Sequence, residues 1–462
     1  MTANRIDPFA TAGQLVKALA AREVSAVELA DAAINRIEKF DGPINAVVVR
    51  DFDRAMGAAK AADAALARGE SGPLLGLPMT VKEAHNVAGL PTTWGSPTFG
   101  DFIAEVDSIG VARLKAAGAV ILGKTNVPPF LSDWQSSNPV YGRTCNPWDL
   151  GRSPGGSSGG SSAALAAGMT PLEFGSDIGG SIRIPSAFCG LYGHKPSHDL
   201  IPQRGHAPPG MDSDGVPLGV IGPMARCAAD LDLALSVLAG PAPEAAVGYR
   251  LALPAPRHSR LADYRVLMLT HHPLAPVDDE ILEALAALAD RLLAEGAQVA
   301  RESYLRPDLA ASHGIYMALL GPLMAPPETL TGQGAPPVGD WLRAAHGQTV
   351  IRRVWATLFE TFDVVIAPAL GVVAFPHDDS PDMRTRTLTI NGRQEPYFGQ
   401  LAWPGMATLA NLPATAAPIG QTKAGLPIGA QIIGPYLEDR TTIRFAGLME
   451  QAFGGFKPPP GY

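Results

Sequence analysis

Apolar residues open the chain at helical spacing. Leu15, Leu19, Val24, Val27, Leu29 and Ile34 mark one buried stripe, and Ser25 stands where a cap would start a helix running to Phe40. An alanine-rich run predicts a second helix over 51–67, ending near Gly69. From Leu77 the texture changes to short apolar runs punctuated by glycine and proline. Residues 79–83 and 119–126 read as buried strands, with a crossover helix over 110–117 between them. Residues 163–168 are small and compatible with a helix. Further on, 264–270 and 362–368 read as strands, and 278–295 as a strongly amphipathic helix.

This alternation predicts an α/β fold, a large mixed, mainly parallel twisted sheet covered by helices on both sides. Residues 303–340 show no clear period and many prolines, which suits a segment that shapes a pocket or covers a surface. No internal repeat and no compositional linker divides the chain. It reads as one domain over 1–462: N-terminal helices (1–70), a core (71–240), a variable substrate-shaping region (240–340) and a return to the sheet (341–462).

Composition narrows the function classes. With 46% hydrophobic and 17% charged residues, the 462-residue chain is no disordered polymer. A net charge of -8 without any long basic run argues against nucleic acid or an anionic membrane as partner. Cys145, Cys189 and Cys227 are too few and too scattered for a disulfide framework or a zinc knuckle, and are expected as reduced thiols of a cytosolic protein. No secretory signal is expected from the opening residues. The uncharged stretch 396–422 holds Pro396, Pro404, Pro413 and Pro418, which rules against a membrane-spanning helix.

The chemistry concentrates between Arg152 and Lys195. Two glycine–serine clusters lie there, Gly155–Gly160 and Asp177–Arg183, and compact apolar sequence flanks and separates them, so a flexible linker fits badly. A phosphate-binding loop would need a lysine after its glycines, and none follows. A Ser-x-x-Lys pair is absent. Gly156-Ser157-Ser158-Gly159-Gly160 satisfies a nucleophile-elbow pattern with Ser158 as nucleophile, though such a match is cheap in a glycine–serine tract. A third reading starts from what amide cleavage demands, a nucleophile, its base and backbone donors for the oxyanion. Ile178, Gly179, Gly180 and Ser181 supply successive N–H groups where two residues lack side chains, with Ser181 at the end of that nest. Asp177 and Arg183 flank it and are placed to pair.

Here the sequence resembles the amidase signature family, whose hallmark is GGSSGG followed about twenty residues later by G-[ST]-D-x-G-G-S-I-R-x-P. Both are present, at Gly155–Gly160 and Gly175–Pro185. Lys82 in VKE, GKTN at 123–126, NPWD at 146–149, GPMAR at 222–226 and GLPIGAQIIG at 425–434 also match, so the likeness covers nearly the whole chain and is weakest over 240–340. The resemblance implies a Ser–Ser–Lys triad. Ser181 is then the nucleophile, Ser157 the bridging serine on a cis peptide after Gly156, and Lys82 the base. The N–H groups of Ile178 to Ser181 form the oxyanion hole, with Asp177, Arg183 and Ser158 in support. An ordinary lysine titrates at about 10.4. Burial lowers that value, and Leu77, Met79, Val81 and Val87 surround Lys82 in sequence.

The expected activity is hydrolysis of a small-molecule carboxylic amide without cofactor or metal. His85 and His194 lack any metal-ligand spacing and are expected to be structural or at the surface, with His85 a candidate to line the pocket. Trp134, Gln135, Tyr141 and Trp403 are candidates for the substrate pocket, and the resemblance suggests a homodimer. Three rivals stand beside this reading. They are a hydrolase using Ser158 with a distant histidine, the glutaminase-type subunit of a tRNA-dependent amidotransferase, and a non-catalytic relative. The last would be expected to lose the nucleophile, and this chain keeps Lys82, Ser157 and Ser181 together.

Overall fold

The two apolar runs that read as neighbouring strands lie side by side. In the computed structural model, which describes residues 6–211, 213–325 and 337–462, Pro78–Lys82 pairs in parallel with Val120–Thr125, and helix Ile109–Ala116 crosses between them. They belong to an 11-stranded sheet. Its order is Val47–Arg50, Val120–Thr125, Pro78–Lys82, Leu172–Asp177, Val220–Ala225, Tyr192–Lys195, Ala414–Gln421, Pro427–Ile433, Val364–Pro368, Arg265–Met268 and Gln298–Ala300. The sheet is mixed, and its parallel character is concentrated in two blocks. One joins Val120–Thr125, Pro78–Lys82 and Leu172–Asp177; the other joins Val364–Pro368, Arg265–Met268 and Gln298–Ala300. Between the blocks the strands run antiparallel, helped by a tight connection that folds Pro427–Ile433 back on Ala414–Gln421.

Both faces are apolar, because alternate residues of a buried strand point opposite ways. Ile121 packs with Met79 and Val81 in the larger cluster, whereas Val120 and Leu122 pack with Ala30, Ala59, Ala163 and Ala164 in a second one. The apolar stripe is divided between two helices, Ala12–Ala20 and Ala26–Ile44, and the second runs four residues past Phe40. Ser25 caps it in a reciprocal capping box with Glu28. Phe52–Ala67 and Asp279–Ala294 form as expected. The aperiodic stretch contains a helix at Leu309–Met324 and the start of another at Val338–Thr361; its residues 326–336 lie outside the described residues. No described helix is long and apolar enough to cross a membrane.

Candidate active site

The first glycine–serine cluster starts a buried helix. Gly159–Ala166 begins inside the tract, with every residue buried. A side chain at Gly160 would meet the Asn126 nitrogen at 2.2 Å, so only glycine lets the helix lie against the end of Val120–Thr125. The second cluster forms the turn from strand Leu172–Asp177 into helix Arg183–Cys189, where Gly180 has φ +94. The Ser158 N–H donates to the Ser181 carbonyl at 3.2 Å, joining the two tracts.

Lys82, at the end of its strand, is fully buried and reaches the first tract and the strand that leads into the second. Its Nζ lies 2.7 Å from Ser157 Oγ and 2.9 Å from Ser176 Oγ. Burial drives its pKa well below the ordinary lysine value, and the more distant Asp177 carboxylate only partly opposes that. The Gly156–Ser157 peptide is cis. Ser181 keeps 5% exposure, and its hydroxyl has no hydrogen-bond partner among the described residues. Lys82 and Ser157 are thus in contact, whereas no hydrogen bond links Ser157 to Ser181.

Behind the loop sits a buried ion pair. Arg183 donates to Asp177 through Nε at 3.0 Å and Nη2 at 2.9 Å, and also to Pro404 O, Gln431 Oε1 and Thr408 Oγ1. Burial alone would raise the Asp177 pKa. The guanidinium and the loop N–H donors overcome it and hold the carboxyl at about 2. One of those donors is Gly180, at 2.9 Å from Oδ1. Its N–H is therefore committed to the carboxylate and not available to an oxyanion in this geometry, unlike the sequence expectation. The N–H groups of Ile178, Gly179 and Ser181 have no acceptor among the described residues.

The pocket candidates separate. Trp134 is buried and donates its indole N–H to the Gly179 carbonyl at 3.0 Å. Gln135 uses both ends of its amide on the Asp378 backbone, which fixes its orientation. Tyr141 donates to Glu83, the residue after Lys82, at 3.2 Å. Trp403 is fully buried beside His272, with ring centroids 5.5 Å apart. Ser158 hydrogen-bonds the Ser176 backbone at 3.4 Å and touches no histidine. His194 bridges Thr415 and Asp439 deep in the core, and His85 stacks on Phe174 at 4.2 Å.

Sequence reasoning misses two participants. Ser176 occupies the hydroxyl-only position of the G-[ST]-D motif, a signal that could have marked it. Tyr316, whose Oη donates to the Ile178 carbonyl at 2.8 Å, lies in the stretch without periodicity and carries no such signal.

Known proteins resemble the chain along most of its length. The sequence model of the family described as Amidase matches residues 28–322 and 334–443. A glutamyl-tRNA(Gln) amidotransferase subunit from Roseiflexus sp. (strain RS-1) is 33% identical, covering 93% of this chain and 93% of its own length. Fatty-acid amide hydrolase 2-A of Danio rerio is 32% identical over 97% of this chain and 90% of its own length. A bacterial aryl acylamidase structure, described as one of the amidase signature enzymes, superposes with a TM-score of 0.82 at 25% identity, covering 96% of each chain. A structure from a study of the origins of an s-triazine catabolic enzyme gives 0.82 at 30% identity, over 97% of this chain and 100% of that one. Matched along most of its length in both sequence and fold, the chain belongs to the amidase signature family, amidohydrolases acting on carbon–nitrogen bonds.

Proposed function

We propose that the protein is a stand-alone amidase that hydrolyses a small-molecule carboxylic amide through an acyl-enzyme on Ser181. The observation that carries this reading is the 2.7 Å contact between a buried, charge-averse Lys82 and Ser157. A neutral amine has one lone pair and two N–H groups. The lone pair takes the Ser157 proton while an N–H is given to Ser176. Ser157 in turn takes the proton of Ser181 as its oxygen attacks the carbonyl carbon. Negative charge on the former carbonyl oxygen meets the N–H groups of Ile178, Gly179 and Ser181. Collapse breaks the C–N bond, and the proton returns from Lys82 through Ser157 to the leaving nitrogen. Water then cleaves the ester by the same relay, releasing the acid.

Aromatic residues near the loop, Trp134 with Tyr397 at 5.0 Å and Phe398 at 6.2 Å, favour an apolar or aromatic acyl group. The likeness to a component of an amidotransferase favours glutamine as a second candidate. A panel of amides varying the acyl and amine sides, with glutamine included, tests both, read by released acid. Ser181→Ala is expected to abolish turnover, esters to react, and hydroxylamine to intercept the acyl-enzyme as a hydroxamate. Cleavage of no amide in the panel, or undiminished turnover by Ser181→Ala, refutes the proposal. Glutamine cleavage that appears only with added partner proteins would instead favour the amidotransferase reading.

A further inference from the structure

Each carbonyl of the nucleophile loop is held by a specific donor. The Ile178 oxygen accepts from Tyr316 Oη at 2.8 Å, Gly179 from Trp134 Nε1 at 3.0 Å, Gly180 from the Ile184 N–H at 2.7 Å, and Ser181 from the Ser158 N–H. A peptide group is planar, and its C=O points opposite to the N–H of the next residue in the trans form. Fixing the Ile178 oxygen therefore fixes the direction of the Gly179 N–H, one of the three donors left for the oxyanion. The Gly179–Gly180 peptide is held at both ends, by Trp134 on its oxygen and Asp177 on its N–H. The Ile178–Gly179 peptide has only its oxygen tethered. Tyr316 is the sole side chain among the described residues that does so.

Tyr316 is built for that task. It is completely buried on helix Leu309–Met324, and burial pushes its phenol pKa upward, so the hydroxyl stays protonated and a donor. Its ring fills the space left by Gly405, where a Cβ would meet it at 2.7 Å. The Gly179 Cβ position lies 3.6 Å from Tyr316 Oη, so the phenol stands against the backbone it orients.

We infer that Tyr316 is a positioning residue for amide cleavage, aiming the Gly179 N–H at the oxyanion from helix Leu309–Met324. The inference rests on the reading of Ile178–Ser181 as the oxyanion cradle. Tyr316→Phe keeps the ring and deletes the hydroxyl. It is expected to lower kcat on p-nitroanilides about 10- to 100-fold, less than loss of a direct oxyanion donor, with KM within about twofold. Reaction of Ser181 with a fluorophosphonate, whose phosphoryl oxygen needs the same donors, is expected to slow in parallel.

Trp134→Phe is expected to lower kcat less than Tyr316→Phe, because Asp177 still holds the peptide it serves. A purely structural role predicts the reverse order, since the indole is larger. Gly405→Ala, which displaces the phenol without removing it, is expected to lower kcat in the same direction, and supplies the answer if Tyr316→Phe does not fold. Wild-type kcat and fluorophosphonate reactivity in folded Tyr316→Phe, or in Gly405→Ala, overturns the inference. Ser181→Ala run alongside separates the two failures: if it remains active, the acyl-enzyme reading itself has failed.

Discussion

Two buried cationic side chains stand on opposite sides of the nucleophile loop, and the protein treats them in opposite ways. Arg183 is surrounded by acceptors of every kind, a carboxylate, a carbonyl, an amide oxygen and a hydroxyl, and Asp177 is held ionised at about 2 beside it. Lys82 meets only two hydroxyls, and burial drives it toward the neutral amine. Both sites are equally dry. What differs is whether the neighbours compensate a charge, and that decides which group becomes a fixed ion and which becomes a base. Lys124, on the adjacent strand, lies between them: it is buried too, yet Glu83 nearby supports its charge and its pKa settles at about 8.

The largest test of this contrast is Lys82→Ala. It is expected to cut amide turnover by about 10⁴-fold, the upper reach of general acid–base catalysis, while leaving the fold intact by circular dichroism. Lys82→Arg is expected to do no better, since a guanidinium keeps its proton. On the other side of the loop, Asp177→Asn strands the Arg183 charge and is expected to cost about 3–5 kcal/mol in urea unfolding. Adding Arg183→Met to it is expected to recover part of that loss. The pair also predicts an acid limb. Asp177 titrates at about 2 in the fold against 3.8 ordinarily. Its contribution of about 2 kcal/mol is whole above pH 4, then fades as the pH falls to 2. Smallest is Ser176→Ala, which removes one hydrogen-bond partner of Nζ and is expected to lower kcat about tenfold. Full activity in that variant would leave Ser157 alone to orient the amine.

The strands carrying Lys82 and Thr125 were legible because a buried strand writes its burial as an apolar run between breakers. The Ser25 cap was legible because a serine stands just before the apolar periodicity of the helix, and the structure adds its reciprocal partner Glu28. The two serine tracts were legible as motifs, and the structure explains their glycines: at 160 and 180 a side chain would strike Asn126 and Ile184. Other features leave no local trace. Helix Leu309–Met324 buries Leu309, Ser312, Tyr316, Leu319 and Leu320 along one face, but its other faces are also largely apolar or small and Pro322 lies inside it, so no stripe stands out in the sequence. Tyr316 meets Ile178 from 138 positions away, a contact that only tertiary packing creates. The commitment of the Gly180 N–H to Asp177 is likewise a matter of loop geometry, invisible in a pattern that supplies four equivalent donors. The partners of Gln135 and Tyr141, Asp378 and Glu83, are distant in sequence and could not be read from it.

The protonation state of one amine decides the mechanism, and the pH dependence of Ser181 acylation reads it. Burst release of p-nitrophenol from an activated ester, followed from pH 5 to 10, is predicted to rise along a single sigmoid. Its midpoint should lie well below the ordinary lysine value of about 10.4, and Lys82→Ala should abolish the rise. A midpoint at the ordinary value, or the same curve in Lys82→Ala, would show that some other group draws the proton from the serines.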